Sequence, residues 1–186
     1  MITIDELQDI WHLVSKLHNG QKYGSSEPDE QIEYINHIGS VTFEMLNAIQ
    51  FEPTMNAGLA VRCAMLHDAI EDTPFSYDKI LQLFGIEVAD GVSALTKNTN
   101  LQPKERQMED SLRRIKQQPK EIWAVKLADR IVNLYAPPYY WNDEKKTQYR
   151  DEAKLILNEL RAGNSYLAQR LEQKIDAYSR FIQGAR

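Results

Sequence analysis

Cysteine and long apolar runs are what this sequence has least of. Cys63 is the only cysteine among 186 residues, so no internal disulfide can form. It lies in the apolar stretch GLAVRCAML, which predicts a buried thiol. No uninterrupted apolar run is long enough to span a bilayer, and the start, MITIDELQDI, lacks a basic segment leading into an apolar core. We therefore expect a cytoplasmic protein without a membrane partner.

The chain also lacks a surplus of positive charge. Its 22 lysines and arginines face 27 acidic residues, which gives a net charge of −5. This balance argues against a general nucleic-acid binder, because such proteins usually carry a basic surplus or stripe. Binding of a small anionic ligand stays an open alternative, provided that local lysines or a metal ion supply positive charge. With 42% hydrophobic residues, we expect one domain over residues 1–186, while the oligomeric state is left open.

The alternating pattern of a β-strand is not sustained anywhere, whereas apolar residues recur at helical steps. The first helix is predicted from Ile4 to Leu17, closing near Asn19-Gly20, and the stretch QKYGSSEPDEQIE predicts a long loop. Further helices are predicted from Tyr34 through Ile49, from Pro53 to about residue 72, from Ser76 to Gly85, through Val88 and Leu95, from Pro103, from Pro119, over about 144–162 and over about 165–182. The predicted fold class is all-α.

The segment LHDAIEDTP concentrates ionisable groups in an otherwise apolar region. On a continuous helix, His67 would lie one turn from Glu71, and Asp68 one turn from Asp72. Such a cluster is costly to bury unless its charge is neutralised, and a divalent cation would do this. Imidazole combined with carboxylate favours Mn²⁺, Fe²⁺ or Zn²⁺ over Mg²⁺ and Ca²⁺.

Two further segments offer ligands to complete such a site. His37 lies in YINHIGSV and Asp129 in AVKLADRIVNL, both within apolar helical patterns. Each has a structural alternative: His37 as a core or helix-start histidine, and Asp129 as an ion-pair partner of Lys126 or Arg130. We assign the remaining histidines, His12 and His18, to structural roles in the first helix.

Together, LHDAIEDTP, KLADRIVNL and YINH resemble the signature segments of the HD phosphohydrolase superfamily, specifically the hydrolase domain of RelA/SpoT homologues. The likeness extends through FGIEVADGVSALTK and the HNGQKYG loop and covers roughly residues 10–160. It implies an HD-domain helical bundle and hydrolysis of the alarmones ppGpp and pppGpp to GDP or GTP and pyrophosphate. The implied partner is therefore a small-molecule nucleotide.

The resemblance also implies roles for individual residues. The implied ligands of Mn²⁺, or of another divalent transition metal, are His37, His67, Asp68 and Asp129. The implied catalytic acid pair is Glu71 and Asp72, and the implied nucleotide contacts are Lys22, Asn133, Lys145 and Tyr149.

The chain departs from the family pattern at three places. Ile38 replaces a proline, Val132 replaces a histidine or tyrosine, and the acidic loop after Lys22 lacks the usual adjacent arginine. Another nucleotide phosphohydrolase on the same scaffold, such as a 5′-nucleotidase or an NADPH phosphatase, therefore stays open, as does a non-catalytic metal-binding module. We interpret PPYYW as an exposed turn that packs on a neighbouring helix, with a platform for a nucleotide base as the alternative.

Overall fold

The computed structural model describes residues 2–182, without the side chains of residues 104 and 105. The helices are α1 (Ile4–Leu17), α2 (Ile35–Phe51), α3 (Ala57–Leu66), α4 (Ala69–Asp72), α5 (Tyr77–Phe84), α6 (Ile86–Leu95), α7 (Lys104–Ile115), α8 (Lys120–Asn133), α9 (Asp143–Leu160) and α10 (Ser165–Tyr178). Short 3₁₀ turns follow at Arg161–Gly163 and Ser179–Phe181. The all-α prediction is confirmed. Within the described residues, no helix is long and apolar enough to cross a membrane.

Helix α8 lies at the centre of the bundle, between α2, α3, α9 and α10. Every residue from 124 to 132 is buried, as expected for a helix surrounded by other helices. Three of these buried residues are ionisable: Lys126, Asp129 and Arg130. Because charges taken out of water need partners, these side chains of α8 require ion-pair or hydrogen-bond partners inside the bundle.

Several predicted helix ends are confirmed. The Ser76 hydroxyl accepts a hydrogen bond from the Lys79 amide, which caps α5, and Gly85 ends that helix with a φ of +83°. Pro103 and Pro119 directly precede α7 and α8. The predicted burial of Cys63 is also confirmed.

The helix predicted from Pro53 to residue 72 is wrong at both ends. It begins at Ala57, because the Asn56 side chain accepts a hydrogen bond from the Leu59 amide and caps the helix there. Helix α3 then stops at Leu66. His67 Nδ1 donates to the Ala64 carbonyl at 2.8 Å, and this carbonyl is the acceptor that the next amide would use in a continuous helix.

The predicted long loop contains a small antiparallel hairpin that the sequence pattern did not predict. Strands β1 (Lys22–Gly24) and β2 (Gln31–Glu33) pair with Tyr23 opposite Ile32. Three-residue strands are too short to produce a sustained alternation of apolar and polar residues, which is why the pattern missed them. The last two helices also end earlier than predicted, where the 3₁₀ turns begin.

Candidate active site

Three helices bring the predicted metal ligands together. His37 comes from the first turn of α2, His67 from the end of α3 and Asp129 from α8, and one ligand atom of each lies within 4.8 Å of the others. The two histidine Nε2 atoms are 3.1 Å apart. Asp68 adjoins this group, with its Oδ2 atom 2.9 Å from His67 Nε2 and 3.5 Å from His37 Nε2. We call these four residues the HD cluster.

The donors of the HD cluster fit a divalent cation. Because His67 Nδ1 donates to a backbone carbonyl, the neutral ring carries its lone pair on Nε2, which faces the other three side chains. Asp129 is held from both sides: its Oδ1 accepts from Asn133 Nδ2 at 2.6 Å, and its Oδ2 lies 2.9 Å from Lys126 Nζ. Two imidazole nitrogens and two oriented carboxylates form the mixed set that transition ions favour.

Without a cation, the HD cluster relies on protons for charge balance. Burial by itself would lower the pKa of His37, but hydrogen bonds to Asp129 and Asp68 outweigh it and raise the pKa to about 9. Burial would also lower the pKa of His67, but the negative charge of Asp68 outweighs burial and raises the pKa. For Asp68 and Asp129, burial acts to raise the pKa, yet nearby positive charge holds both values well below the usual range. The cluster thus concentrates negative charge that protons or a metal ion must neutralise.

The predicted acid pair lies beside the HD cluster, but not as one continuous helix would place it. Because α3 ends at Leu66, Glu71 and Asp72 belong to the separate one-turn helix α4. The Glu71 carboxylate accepts a hydrogen bond from the Lys97 amide at 2.8 Å and lies 3.8 Å from Lys97 Nζ. For Asp72, loss of water contact and then the charges of Asp68 and Glu71 raise the pKa. The two acids therefore have different surroundings.

A cavity of about 200 Å³ joins the acid pair to the HD cluster, and it adjoins a larger one of about 1100 Å³. Four residues line both: Tyr34, His37, Asn133 and Tyr149. We call the larger cavity the aromatic chamber, because its walls include Tyr23, Tyr34, Tyr135, Tyr139, Tyr140, Trp141 and Tyr149. Much of the predicted turn PPYYW therefore lines a cavity while its two tyrosines stay largely exposed.

Three of the four predicted nucleotide contacts line these cavities. Lys22 lies in the wall of the aromatic chamber, with its Nζ atom 3.1 Å from a Glu33 oxygen. Asn133 and Tyr149 line the boundary between the two cavities. The fourth, Lys145, lines neither; its Nζ atom lies 5.6 Å from the Trp141 ring centroid. Substrate contact stays a prediction for all four residues.

Sequence reasoning missed two residues that support the site. Tyr34 donates its hydroxyl hydrogen to Asp68 Oδ2 at 2.6 Å. It lies three residues before the predicted ligand His37, and this helical spacing was the available signal. Lys97 lies in the segment that follows α6, and only the tertiary fold places it beside Glu71. The pairing of Lys126 with Asp129, by contrast, is the alternative that the sequence had offered for Asp129.

Comparison with known proteins finds relatives that match most of this chain. The guanosine-3′,5′-bis(diphosphate) 3′-pyrophosphohydrolase MESH1 of Drosophila melanogaster is 28% identical over 151 residues, covering 77% of this chain and 80% of the relative. Its namesake from Xenopus tropicalis is 30% identical over 147 residues, covering 77% and 79% respectively. A solved structure, described as a metazoan ortholog of SpoT that hydrolyzes ppGpp, matches with a TM-score of 0.78 and 24% identity over 95% of this chain and 97% of its own.

No protein-family model matches the chain. The Xenopus relative is nevertheless 30% identical over more than three quarters of both chains, and the solved structure has the same helical fold. The chain belongs to the MESH1 and SpoT family of guanosine-3′,5′-bis(diphosphate) 3′-pyrophosphohydrolases.

Proposed function

We propose that this chain is a metal-dependent hydrolase that removes the 3′-pyrophosphate from guanosine 3′,5′-bis(diphosphate) nucleotides. The products are GDP from ppGpp and GTP from pppGpp, together with pyrophosphate. The observation that carries the proposal is the HD cluster, whose cavity shares the wall residues His37 and Asn133 with a chamber of about 1100 Å³. The activity printed for the relatives supports the same substrate.

The proposed cofactor is Mn²⁺, held by His37, His67, Asp68 and Asp129. When bound, the ion supplies a Lewis acid that neutralises charge on phosphoryl oxygens. The protein contributes the orientation of its ligands: Asn133 fixes one oxygen of Asp129, and Tyr34 fixes one oxygen of Asp68. Another divalent transition ion fits the same donors, and the metal content of the purified protein identifies the ion.

The acid pair is the proposed site of proton transfer. In the hydrolysis, a water oxygen bonds to phosphorus and the water proton passes to a carboxylate. The bond from phosphorus to the 3′-oxygen breaks, and the 3′-oxygen keeps the bonding electrons and takes up a proton to become the 3′-hydroxyl group of the product. Asp72 suits this role, because a general base works best when its pKa is raised towards the working pH. Glu71 is tied to the Lys97 amide, and it keeps the Lys97 ammonium group near the reacting phosphates.

The aromatic chamber is the proposed site for the nucleoside. Its volume of about 1100 Å³ is ample for a nucleotide, and Tyr23, Trp141 and Tyr149 present flat rings on which a purine base can stack. Lys22 is placed in the same wall to meet phosphate charge. Together the two cavities separate the recognition of the base from the chemistry on phosphorus.

The test is an assay of the purified protein with Mn²⁺ against ppGpp, pppGpp, ppApp, NADPH and nucleoside monophosphates, with identification of every product. We expect pyrophosphate and GDP from ppGpp, and no turnover of GDP, which lacks the 3′-pyrophosphate. Faster hydrolysis of nucleoside monophosphates or NADPH, or orthophosphate as the only product, would replace this proposal with another nucleotide phosphohydrolase activity. The Asp68→Asn variant is the matched control for contaminating phosphatases.

A further inference from the structure

Helix α4, which carries the acid pair, is held from outside by a side chain of the segment between α1 and β1. Gln21 Nε2 donates to the backbone carbonyl of Asp72 at 2.7 Å. Helix α4 has only four residues, and Thr73 after it is already extended. A helix of one turn has few internal hydrogen bonds, so an external donor to its last carbonyl has a large share in fixing its end.

Gln21 is itself oriented by a buried histidine. His18 Nδ1 lies 2.7 Å from Gln21 Oε1. Because the Gln21 amide nitrogen donates to a carbonyl, Oε1 is the acceptor, and His18 Nδ1 must therefore carry the hydrogen. Among the described residues, the other ring nitrogen of His18 has no hydrogen-bond partner, although the residue is only 1% exposed. An unpaired buried nitrogen lowers stability, so packing alone does not account for a histidine at this position.

The same imidazole also supports the HD cluster. The His18 ring stacks on Tyr34 with ring centroids 5.2 Å apart and an interplanar angle of 28°. The Tyr34 hydroxyl in turn donates to Asp68 Oδ2 at 2.6 Å. His18 therefore supports two contacts. One is the hydrogen bond of Gln21 to the Asp72 backbone, and the other is that of Tyr34 to Asp68, a predicted metal ligand.

We propose that Gln21, oriented by His18, is a positioning residue that fixes Asp72 relative to the HD cluster. The inference rests on the proposed function, in which Asp72 accepts a proton. Neither Gln21 nor His18 lines the aromatic chamber or the smaller cavity, so neither has a predicted contact with substrate. Loss of the contact should consequently lower kcat and leave KM for ppGpp nearly unchanged, since a small displacement of a reacting group is costly to the chemical step.

The first test replaces Gln21 in two ways. Gln21→Met keeps the length of the side chain and removes both hydrogen bonds, while Gln21→Glu keeps the acceptor for His18 and removes the donor to Asp72. We expect both to lower kcat for ppGpp by about tenfold to a hundredfold, with KM within twofold and manganese content equal to wild type. Gln8→Met, on the exposed face of α1, is the matched control and should keep wild-type kcat.

The second test asks whether the His18 hydrogen bond is what matters. His18→Asn places an amide donor near the position of Nδ1, whereas His18→Phe keeps a ring against Tyr34 and removes the donor. We expect His18→Asn to retain several-fold more kcat than His18→Phe. A purely structural role predicts the opposite order, because phenylalanine fills the buried space better.

Thermal unfolding measurements distinguish a variant that fails to fold from a folded variant in which Asp72 is misplaced. If Gln21→Met is unfolded at the assay temperature, Gln21→Glu, of nearly identical size, decides. Wild-type kcat in a folded Gln21 variant, or a fall in kcat matched by loss of manganese, would overturn this inference and leave the proposed function intact. A wild-type protein that releases no pyrophosphate from ppGpp would overturn both.

Discussion

At the scale of single residues, His67 shows how one side chain does two things. Its Nδ1 atom donates to the Ala64 carbonyl and so interrupts the helix, and its Nε2 atom faces Asp68 and His37. Because α3 is interrupted here, Glu71 and Asp72 do not continue along the axis of that helix. A residue chosen as a ligand from the sequence thus also decides the backbone of the site.

The first prediction concerns the metal ligands. Asp68→Asn and His67→Ala should lose bound manganese and all pyrophosphate release. His67→Ala removes a nitrogen donor, and Asp68→Asn replaces a charged carboxylate donor with a neutral amide. Elemental analysis of the purified variants and a pyrophosphate assay check this. His12→Ala, an exposed histidine of α1, is the control and should behave as wild type. Full activity in a rigorously metal-free preparation would contradict the prediction.

The second prediction concerns pH. The pKa of His37 in the metal-free fold is raised to about 9, above the ordinary value of about 6.5. Its contribution to stability is therefore complete below about pH 6.5 and is lost as the pH rises through about 9. Since a metal binds the deprotonated ring, manganese affinity should rise about tenfold per pH unit for each proton released. Calorimetry at pH 6.5 and 7.5 measures this, and His37→Gln should show a weaker dependence.

The third prediction separates the two acids. Asp72→Asn should lower kcat by about 10²–10⁴-fold with manganese retained, because the proton acceptor is lost. Glu71→Gln should lose less, since the amide oxygen of glutamine can still accept from the Lys97 amide. Asp78→Asn, an exposed acid of α5, is the control. If one of these two variants lost metal as completely as Asp68→Asn, the acid replaced in it would be a metal ligand instead.

At the scale of elements, the position of α8 depends on one close approach. An added Cβ atom on Gly163 would lie 2.6 Å from Trp123 Cβ and 3.1 Å from the Ala124 backbone nitrogen. Backbone atoms cannot yield as a flexible side chain can, so the 3₁₀ turn and α8 would have to separate. Helix α8 carries Asp129 and Asn133, so its position in the bundle sets how deeply the HD cluster is buried.

The fourth prediction follows from that contact. Gly163→Ala should lower the free energy of unfolding by about 1–3 kcal/mol, the usual cost of overpacking. Denaturant titration measures the change. Gly24→Ala is a suitable comparison, because its added Cβ would meet Tyr140 at an ordinary 3.4 Å, and its stability should change little. Equal stability of the two variants would show that the turn adjusts freely.

At the scale of the whole molecule, a net charge of −5 opposes a highly anionic substrate, so positive charge must be supplied locally. Lys22 in the wall of the aromatic chamber is one such source, and its nearest partner is Glu33 at 3.1 Å. The side chain is 43% exposed, and water and salt therefore screen its charge.

The fifth prediction uses this screening. Lys22→Ala should raise KM for ppGpp several-fold, corresponding to on the order of 1 kcal/mol, with manganese content unchanged. The increase should be larger at low salt than at high salt. Lys79→Ala removes an equal charge from the exposed surface of α5 and is the control. A change in KM of the same size in both variants would indicate a general effect of net charge.

The sequence by itself determined the fold class, most helix ends and the residues that form the HD cluster. Helical periodicity and caps such as Ser76 and Gly85 act over a few residues, so they can be read locally. Ionisable residues in apolar segments, such as His37 and Asp129, pointed to buried chemistry for the same reason: burial of charge needs a partner. The family resemblance added their assignment to one site.

Only the tertiary structure decided where α3 ends, how Glu71 and Asp72 differ, and what surrounds them. The contact of Gln21 with the Asp72 carbonyl joins residues 51 positions apart, and that of Glu71 with the Lys97 amide spans 26. No local pattern encodes such pairs, because they form only when the helices have packed. The aromatic chamber likewise exists because the hairpin and the turn PPYYW meet in space, where the Tyr139 amide donates to the Ser25 carbonyl.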